Sequence, residues 1–83
     1  MTRIVVERDA WKALNKLTRK ARARVEAKIE QLADDPAALA NTVTKLRNRP
    51  GYRLRIGQDR LIFDREGDTL RVLDFGPRGS IYR

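Results

Sequence analysis

The sequence predicts an α+β domain in which one strand is followed by helices and then by three antiparallel strands. Three features of the chain predict this order: a short β-branched opening, a long apolar stripe with helical spacing, and alternating segments joined by short turns. Short connections make neighbouring strands antiparallel, and the helices then cover one face of the sheet. The 83 residues fit one domain spanning positions 1–83, with a small core.

The first half of the chain supplies the first strand and the helices. Arg3–Val6 is the predicted strand, and Asp9 is placed to cap a helix that begins near Ala10. From there an apolar residue recurs every three or four positions, as on the buried face of a helix. The stripe consists of Trp11, Leu14, Leu17, Ala21, Val25, Ile29 and Leu32. This spacing fits either one long helix or two helices separated near Thr18, which is a possible second cap.

The connection between the two halves begins at residues 34–36, Asp-Asp-Pro. The residue before a proline avoids the helical conformation, so the helical region ends there. Residues 36–44 form a connector with room for one helical turn at 37–40. Residues 45–47 are either a short strand or an extended lead-in, and residues 48–51, Asn-Arg-Pro-Gly, have turn composition.

A hairpin between residues 52 and 63 dominates the second half. Both of its arms alternate in character, and Gly57 and Gln58 are the two loop residues of a tight turn. In this register the opposed pairs are Ile56 with Asp59, Arg55 with Arg60, Leu54 with Leu61 and Tyr52 with Phe63. A further turn at residues 65–68 and a last strand over Leu70–Phe75 complete the predicted sheet.

One face of this hairpin is apolar and the other is strongly basic. Arg53, Arg55 and Arg60 share the basic face, and no acidic residue of the hairpin lies among them. Like charges directly opposite each other destabilise a sheet, so this arrangement favours an anionic ligand over a purely structural role. A guanidinium group stays charged and binds phosphate with two hydrogen bonds. Clustered guanidinium groups can therefore stabilise the charge that develops on phosphate in a transition state.

Other basic residues extend this candidate site. Tyr82 lies in a Gly- and Pro-containing tail that is either frayed or folded back to the sheet, where a tyrosine can stack on a base. With Arg78, it forms the candidate catalytic pair of the tail. The candidate RNA-contacting residues are Lys45, Arg47, Arg49 and Arg83. Contacts of this kind position a nucleic acid by its phosphates and read no sequence.

The net charge of the chain and its lack of Cys and His exclude several classes of function. The chain has 19 Lys and Arg against 11 Asp and Glu, and the net charge of +8 favours a nucleic acid, a ribosome or an acidic protein as partner. Without Cys or His, disulfides, thiol nucleophiles, zinc sites and imidazole chemistry are excluded, and no cofactor is predicted. The chain has no membrane-spanning stretch or signal peptide, so we expect a soluble cytoplasmic protein.

Read in order, these motifs resemble the RelE/ParE superfamily of toxins from type II toxin–antitoxin pairs. The resemblance covers almost the whole chain. Its motifs are Lys-Leu-Arg at 45–47, Pro-Gly-Tyr-Arg-Leu-Arg-Ile-Gly at 50–57, Arg-Leu-Ile-Phe at 60–63 and Gly-Pro-Arg-Gly-Ser-Ile-Tyr-Arg at 76–83. It implies the order β-α-α-β-β-β, with a two-helix hairpin packed on one face of a small antiparallel sheet. It therefore also favours a helix break near Thr18.

The RelE branch, which we favour, implies an mRNA endoribonuclease that acts on the ribosome without a metal ion. A ribose 2′-OH attacks the adjacent phosphate and leaves a 2′,3′-cyclic phosphate and a 5′-OH. Arg53 and Arg55 match strand positions that are lysines in the best-known members. Arg60 matches a phosphate-binding arginine, Arg78 a transition-state arginine, and Tyr82 a tyrosine proposed as base or stacking group.

Two alternatives fit the same residues. One is a ParE-like toxin that inhibits DNA gyrase and has no nuclease activity, and the other is a non-catalytic RNA- or ribosome-binding module. The chain departs from many relatives at Asp59, where they carry an aromatic residue, and at Pro77, where they carry His or Lys. Either kind of toxin implies a cognate antitoxin as partner, and an acidic segment or helix suits the charge of +8.

Overall fold

A computed structural model describes residues 2–77 of the chain. Its elements are β1 (Arg3–Val6), α1 (Arg8–Asn15), α2 (Arg19–Asp34), a 3-10 helix (Pro36–Thr42), β2 (Val43–Lys45), β3 (Tyr52–Ile56), β4 (Asp59–Glu66) and β5 (Thr69–Pro77). The predicted α+β class is confirmed, with β2 adding a strand to the predicted order. No helix in this part of the chain is long and apolar enough to cross a membrane.

Within residues 2–77 the five strands form one sheet in the order β1-β5-β4-β3-β2. The strands from β2 to β5 are antiparallel to their neighbours, as predicted. β1 is instead parallel to β5, with Arg3 opposite Thr69 and Val6 opposite Val72. A parallel pair requires a long crossover, and the chain between β1 and β5, which includes both helices, supplies it.

The core lies between the helices and one face of the sheet. Every second residue of the central strands points into the core, and one side of each helix packs against them. Apart from alanines, its members are Leu14, Val25, Ile29, Leu32, Leu39, Leu54, Ile56, Leu61, Phe63, Leu70, Val72 and Phe75. We call the opposite face of the sheet, which the helices do not cover, the outer face.

The first helix begins earlier than predicted, so the prediction that Asp9 caps it is wrong. Glu7 is the N-cap, and its backbone N–H donates to the carbonyl of Val72 at 2.8 Å. The chain is therefore still hydrogen-bonded to the sheet at Glu7, and the helix starts at the next residue. Asp9 lies in the first turn, where a carboxylate stabilises the positive end of the helix.

Trp11 lies outside the core, contrary to the predicted stripe. The buried residues of α1 are Ala10 and Leu14, and Trp11 is 51% exposed. Successive residues of a helix point about 100° apart, so a short helix that buries Ala10 turns its neighbour outward. The guanidinium carbon of Arg22 lies 5.0 Å from the centroid of the Trp11 ring, which gives this exposed ring a cation–π partner.

The helical stripe is divided at Thr18, so the two-helix reading is confirmed. Thr18 is the N-cap of α2, and its hydroxyl oxygen accepts a hydrogen bond from the backbone N–H of Ala21 at 3.2 Å. Arg22 also donates to the side-chain oxygen of Asn15 at 2.6 Å. These contacts tie the start of α2 to the end of α1.

Of residues 45–47, which the sequence left open as a short strand or an extended lead-in, only Lys45 lies in a strand, and it is the last residue of β2. β2 pairs Val43 with Leu54 and Lys45 with Tyr52. This register places Val43 against the core, which Leu46 or Arg47 could not do from the far side of the loop. The turn between β4 and β5 is also shorter than predicted and contains only Gly67 and Asp68.

Candidate functional site

The hairpin of β3 and β4 has the predicted register. Arg55 lies directly opposite Arg60, and Arg53 lies opposite Ile62. Because Leu54 and Leu61 point into the core, Arg53, Arg55 and Arg60 lie on the outer face. Arg55 is exposed, whereas Arg53 and Arg60 are half-buried. Residues opposed in this way have Cβ atoms about 4.5–5.5 Å apart, so two guanidinium groups reach into one region.

Arg60 contacts its own strand and is paired with β5. Its Nη1 donates to the carbonyl oxygen of Asp59 at 3.1 Å, which draws the side chain along its own strand. On the other side, β5 places Gly76 opposite Arg60. Gly76 is buried, so Arg60 lies beside a covered part of β5.

A buried isoleucine forms the floor of the outer face. Ile62 is 1% exposed, yet it is not part of the cluster that the helices cover. It lies between Arg53 on β3 and Asp74 on β5 in the sheet register. Long arginine side chains cover apolar surface with their stems and keep their charged ends in water. An apolar floor lowers the local dielectric and so strengthens the interaction of these charges with an anion.

An irregularity in the pairing of β4 and β5 brings one carboxylate to this face. The register passes from Ile62–Asp74 to Phe63–Val72 and so skips Leu73. This shift places Asp74 on the outer face beside Ile62. One of its carboxylate oxygens accepts a hydrogen bond from the N–H of Phe75 at 2.8 Å. A bulge is not visible in hydrophobic periodicity, and sequence reasoning therefore left Asp74 without a position.

Comparisons with known proteins identify the fold. No family model and no curated protein matches the chain. The RelE–RelB complex from Pyrococcus horikoshii OT3 matches with a TM-score of 0.75 and 25% identity, over 95% of this chain and 97% of that chain. The intact E. coli RelBE complex matches at 0.74 and 22%, over 93% and 96%. The RelB–RelE complex from Methanococcus jannaschii matches at 0.73 and 22%, over 94% of each chain.

This chain has the RelE fold. The resemblance to RelE toxins predicted from the residues is thereby confirmed. The matches cover more than nine-tenths of both partners, so the helices and all the strands of the sheet are part of the shared architecture.

The RelE fold separates the basic residues that the sequence grouped together. Lys45 lies opposite Tyr52, whose ring stacks on Phe63 with centroids 5.5 Å apart on the side of the helices. Lys45 therefore does not share the outer face with Arg53; Thr44 is the β2 residue at that position. Arg47 and Arg49 are exposed in the loop before β3.

The tail residues Arg78, Tyr82 and Arg83 lie outside the described residues. Pro77, which precedes Arg78 in the chain, pairs with Asp59 at the hairpin end of β5. The catalytic and stacking roles assigned to the tail remain predictions.

The tip of the hairpin also contacts a residue that sequence reasoning missed. Gly57 has φ +61°, and a Cβ at this position would lie 2.8 Å from Nη2 of Arg24. The guanidinium of Arg24 on α2 is therefore packed against the tip. A single arginine on the polar side of a helix carries no sequence signal of such a contact, because it depends on how α2 crosses the sheet.

Alanine at Gly57 is expected to lower the free energy of unfolding by at least as much as alanine at Gly67. Both glycines have φ +61°, which costs a residue with a Cβ about 1–2 kcal/mol. Only the Cβ at Gly57 would meet Arg24, since nothing lies within 4 Å at Gly67. Urea unfolding of both variants measures the difference. Any excess at Gly57 should vanish in an Arg24→Gln background, and an excess that persists there would rule out the contact.

Proposed function

We propose that the chain is the toxin of a type II toxin–antitoxin pair and that it acts as an mRNA endoribonuclease. The observation that carries the proposal is the direct opposition of Arg55 and Arg60, with Arg53 beside them, on the face of the sheet that the helices do not cover. This arrangement is unfavourable for a sheet by itself and favourable for binding phosphate. The similarity to solved RelE toxins, both isolated and in complex with RelB, supports the toxin role.

The proposed reaction is transesterification at one phosphodiester bond. The ribose 2′-OH loses its proton and attacks the adjacent phosphorus, and the bond to the 5′-oxygen breaks. The products are a 2′,3′-cyclic phosphate and a 5′-OH, with the proton passing to the leaving oxygen. Arg53, Arg55 and Arg60 stabilise the extra negative charge of the phosphorane, which exists only in the transition state. An arginine does not transfer protons, so the base is a different group, for which the resemblance proposes Tyr82.

The proposed partners are mRNA on the ribosome and a cognate antitoxin. RelB is the partner in the solved complexes that share this fold, which supports an antitoxin for this chain. The sheet of residues 2–77 ends in β1 on one side and β2 on the other. An edge strand can accept an added strand from another chain, and an acidic antitoxin segment complements the charge of +8. Cytoplasmic action on translating ribosomes follows from this proposal.

Induction of the chain alone in growing cells tests the proposal against its main alternative. We expect growth arrest with new transcript ends that carry a 5′-OH, and no DNA breaks or SOS response. Arg78→Ala and Tyr82→Phe should restore growth and remove the new ends. Growth arrest with DNA breaks and without new mRNA ends would contradict RNA cleavage and favour gyrase inhibition. No growth arrest, with RNA binding retained, would favour a non-catalytic module.

A further inference from the structure

Four exposed cations follow one another at steps of four residues along the helical hairpin. They are Lys12, Lys16, Lys20 and Arg24, which we call the helical basic row. Lys12 lies in α1 and Lys16 is its C-cap, whereas Lys20 and Arg24 lie in the first half of α2. Among residues 2–77, none of these four side chains makes a hydrogen bond or an ion pair, so their charges are not neutralised within the described fold.

In α1 the cations are favourable for the helix, because Lys12 lies in its last turn and Lys16 is its C-cap. In α2 they are not. Like charges four residues apart on a helix repel each other, as Lys20 and Arg24 do. The first turn of α2 contains no acidic residue and its last turn contains no basic one. That is the reverse of what the helix dipole favours, because cations are unfavourable at the N-terminal end. A charge pattern that opposes the stability of its own helix is explained by an anionic partner.

The helical basic row reaches the same hairpin tip as the arginines of the outer face. Lys12 and Lys16 line a groove of about 480 Å³ that also contains Gly76 and Pro77 at the end of β5. Two carboxylates, Asp9 and Asp59, line this groove as well. On α2, the guanidinium of Arg24 is packed against Gly57, two residues from Arg55 in the chain. The tip thus carries cations on both of its sides.

We propose that the helical basic row binds the phosphate backbone of the RNA that the outer face cleaves, with the strand crossing the hairpin tip. This inference rests on the proposed function and extends its substrate site onto the helices. Each residue of the row would contact one phosphate and would position the RNA without reading its sequence. The row therefore contributes to affinity, and the chemistry stays with the residues of the outer face.

The surface fits RNA better than it fits an acidic protein. Protein interfaces have an apolar centre surrounded by polar residues. The exposed large apolar residues of the described chain are Ile4, Trp11 and Tyr52. Ile4 and Trp11 line a separate groove with Ile29, and Tyr52 pairs with Lys45 at the β2 side of the sheet. The groove beside Lys12 and Lys16 has apolar walls, which include Leu17 and Phe75, but none of the exposed large apolar residues lines it. A mainly cationic surface of this kind suits a phosphate backbone.

The test compares two variants of equal charge. K20Q/R24Q removes half of the row, and R3Q/R8Q removes two exposed arginines at the start of β1 and of α1. Binding of a labelled, unstructured, fully 2′-O-methylated 20-nucleotide RNA, which has no 2′-OH to react, is measured from 50 to 500 mM KCl. Two lost phosphate contacts lower the slope of log K against log salt by about 1.4, which weakens binding about 25-fold at 0.1 M salt. The control should change several-fold less.

Other results of this experiment would contradict the binding role of the row, its RNA partner or the proposed nuclease. Equal losses in the two variants would mean that only net charge matters, and the row would not be a binding surface. Unchanged RNA binding by K20Q/R24Q with weakened binding of a poly-glutamate peptide would assign the surface to an acidic protein instead. Circular dichroism of both variants verifies folding, and the single variant R24Q repeats the test if the double variant unfolds. Row-dependent binding without cleavage of mRNA on translating ribosomes would refute the proposed nuclease and leave the row in place.

Discussion

Replacing Arg55 with glutamine is expected to lower RNA cleavage about 100-fold or more and to make the protein more stable. Loss of one charged group aimed at a transition-state oxyanion typically costs a factor of this size. The same change removes the repulsion between Arg55 and Arg60, which lie directly opposite each other. Relief of a like-charge pair across two strands should raise the free energy of unfolding by about 0.2–1 kcal/mol.

Cleavage of mRNA on ribosomes and urea unfolding, measured with the same protein preparation, test both halves of this prediction. Arg55→Lys is the matched control, because it keeps the charge and loses the two-pronged hydrogen bonding of the guanidinium. We expect it to retain part of the activity and to show no gain in stability. Lower stability of Arg55→Gln with intact cleavage would show that Arg55 supports the fold and not the reaction.

Replacing the preceding residue, Leu54, with alanine is expected to have the opposite effects: the protein becomes less stable and the cleavage activity of the folded protein is unchanged. Leu54 is fully buried, lies opposite Leu61 in the register and belongs to the core between sheet and helices. Truncation of such a leucine costs about 2–5 kcal/mol. In a domain of this size each kcal/mol lowers Tm by about 4–8 °C, so a decrease of 10 °C or more should result. At a temperature where the variant is folded, cleavage per folded molecule should match that of the wild type.

Thermal unfolding by circular dichroism, together with a cleavage assay well below Tm, measures this effect. Ile4→Ala is the control, since Ile4 is an apolar residue on the edge strand β1 and is 38% exposed. It should cost well under half as much as Leu54→Ala. A loss of cleavage in the folded Leu54 variant as large as that of Arg55→Gln would contradict the assignment of the two residues to different faces.

The contrast between Leu54 and Arg55 shows why the hairpin could be predicted from the sequence. Neighbouring residues of a strand point to opposite faces, and a two-residue loop sets which residues are opposed. Both rules act within a dozen residues, and the register of Arg55 with Arg60 follows from them. The cap at Thr18 is equally local, because a side chain three residues away accepts the hydrogen bond.

Errors arose wherever a distant element decided the outcome. The first helix starts at Arg8 and not near Ala10 because Glu7 is hydrogen-bonded to Val72, which lies far along the chain. Lys45, whose proposed contact with RNA stays a prediction, lies opposite Tyr52 because of the pairing of β2 with β3, which the sequence left open. Periodicity placed Trp11 in the core, but α1 is short and buries Ala10 and Leu14 instead.

Local alternation and turn chemistry thus place three arginines on one side of a hairpin, and composition makes that side cationic. What else surrounds those arginines is a property of the assembled sheet: Asp74 brought in by the irregular pairing of β5, and Arg24 packed against the tip. The physical reason is the range of the interactions. Strand alternation depends on backbone geometry within a few residues, whereas these contacts join segments more than ten residues apart and exist only after the chain has folded.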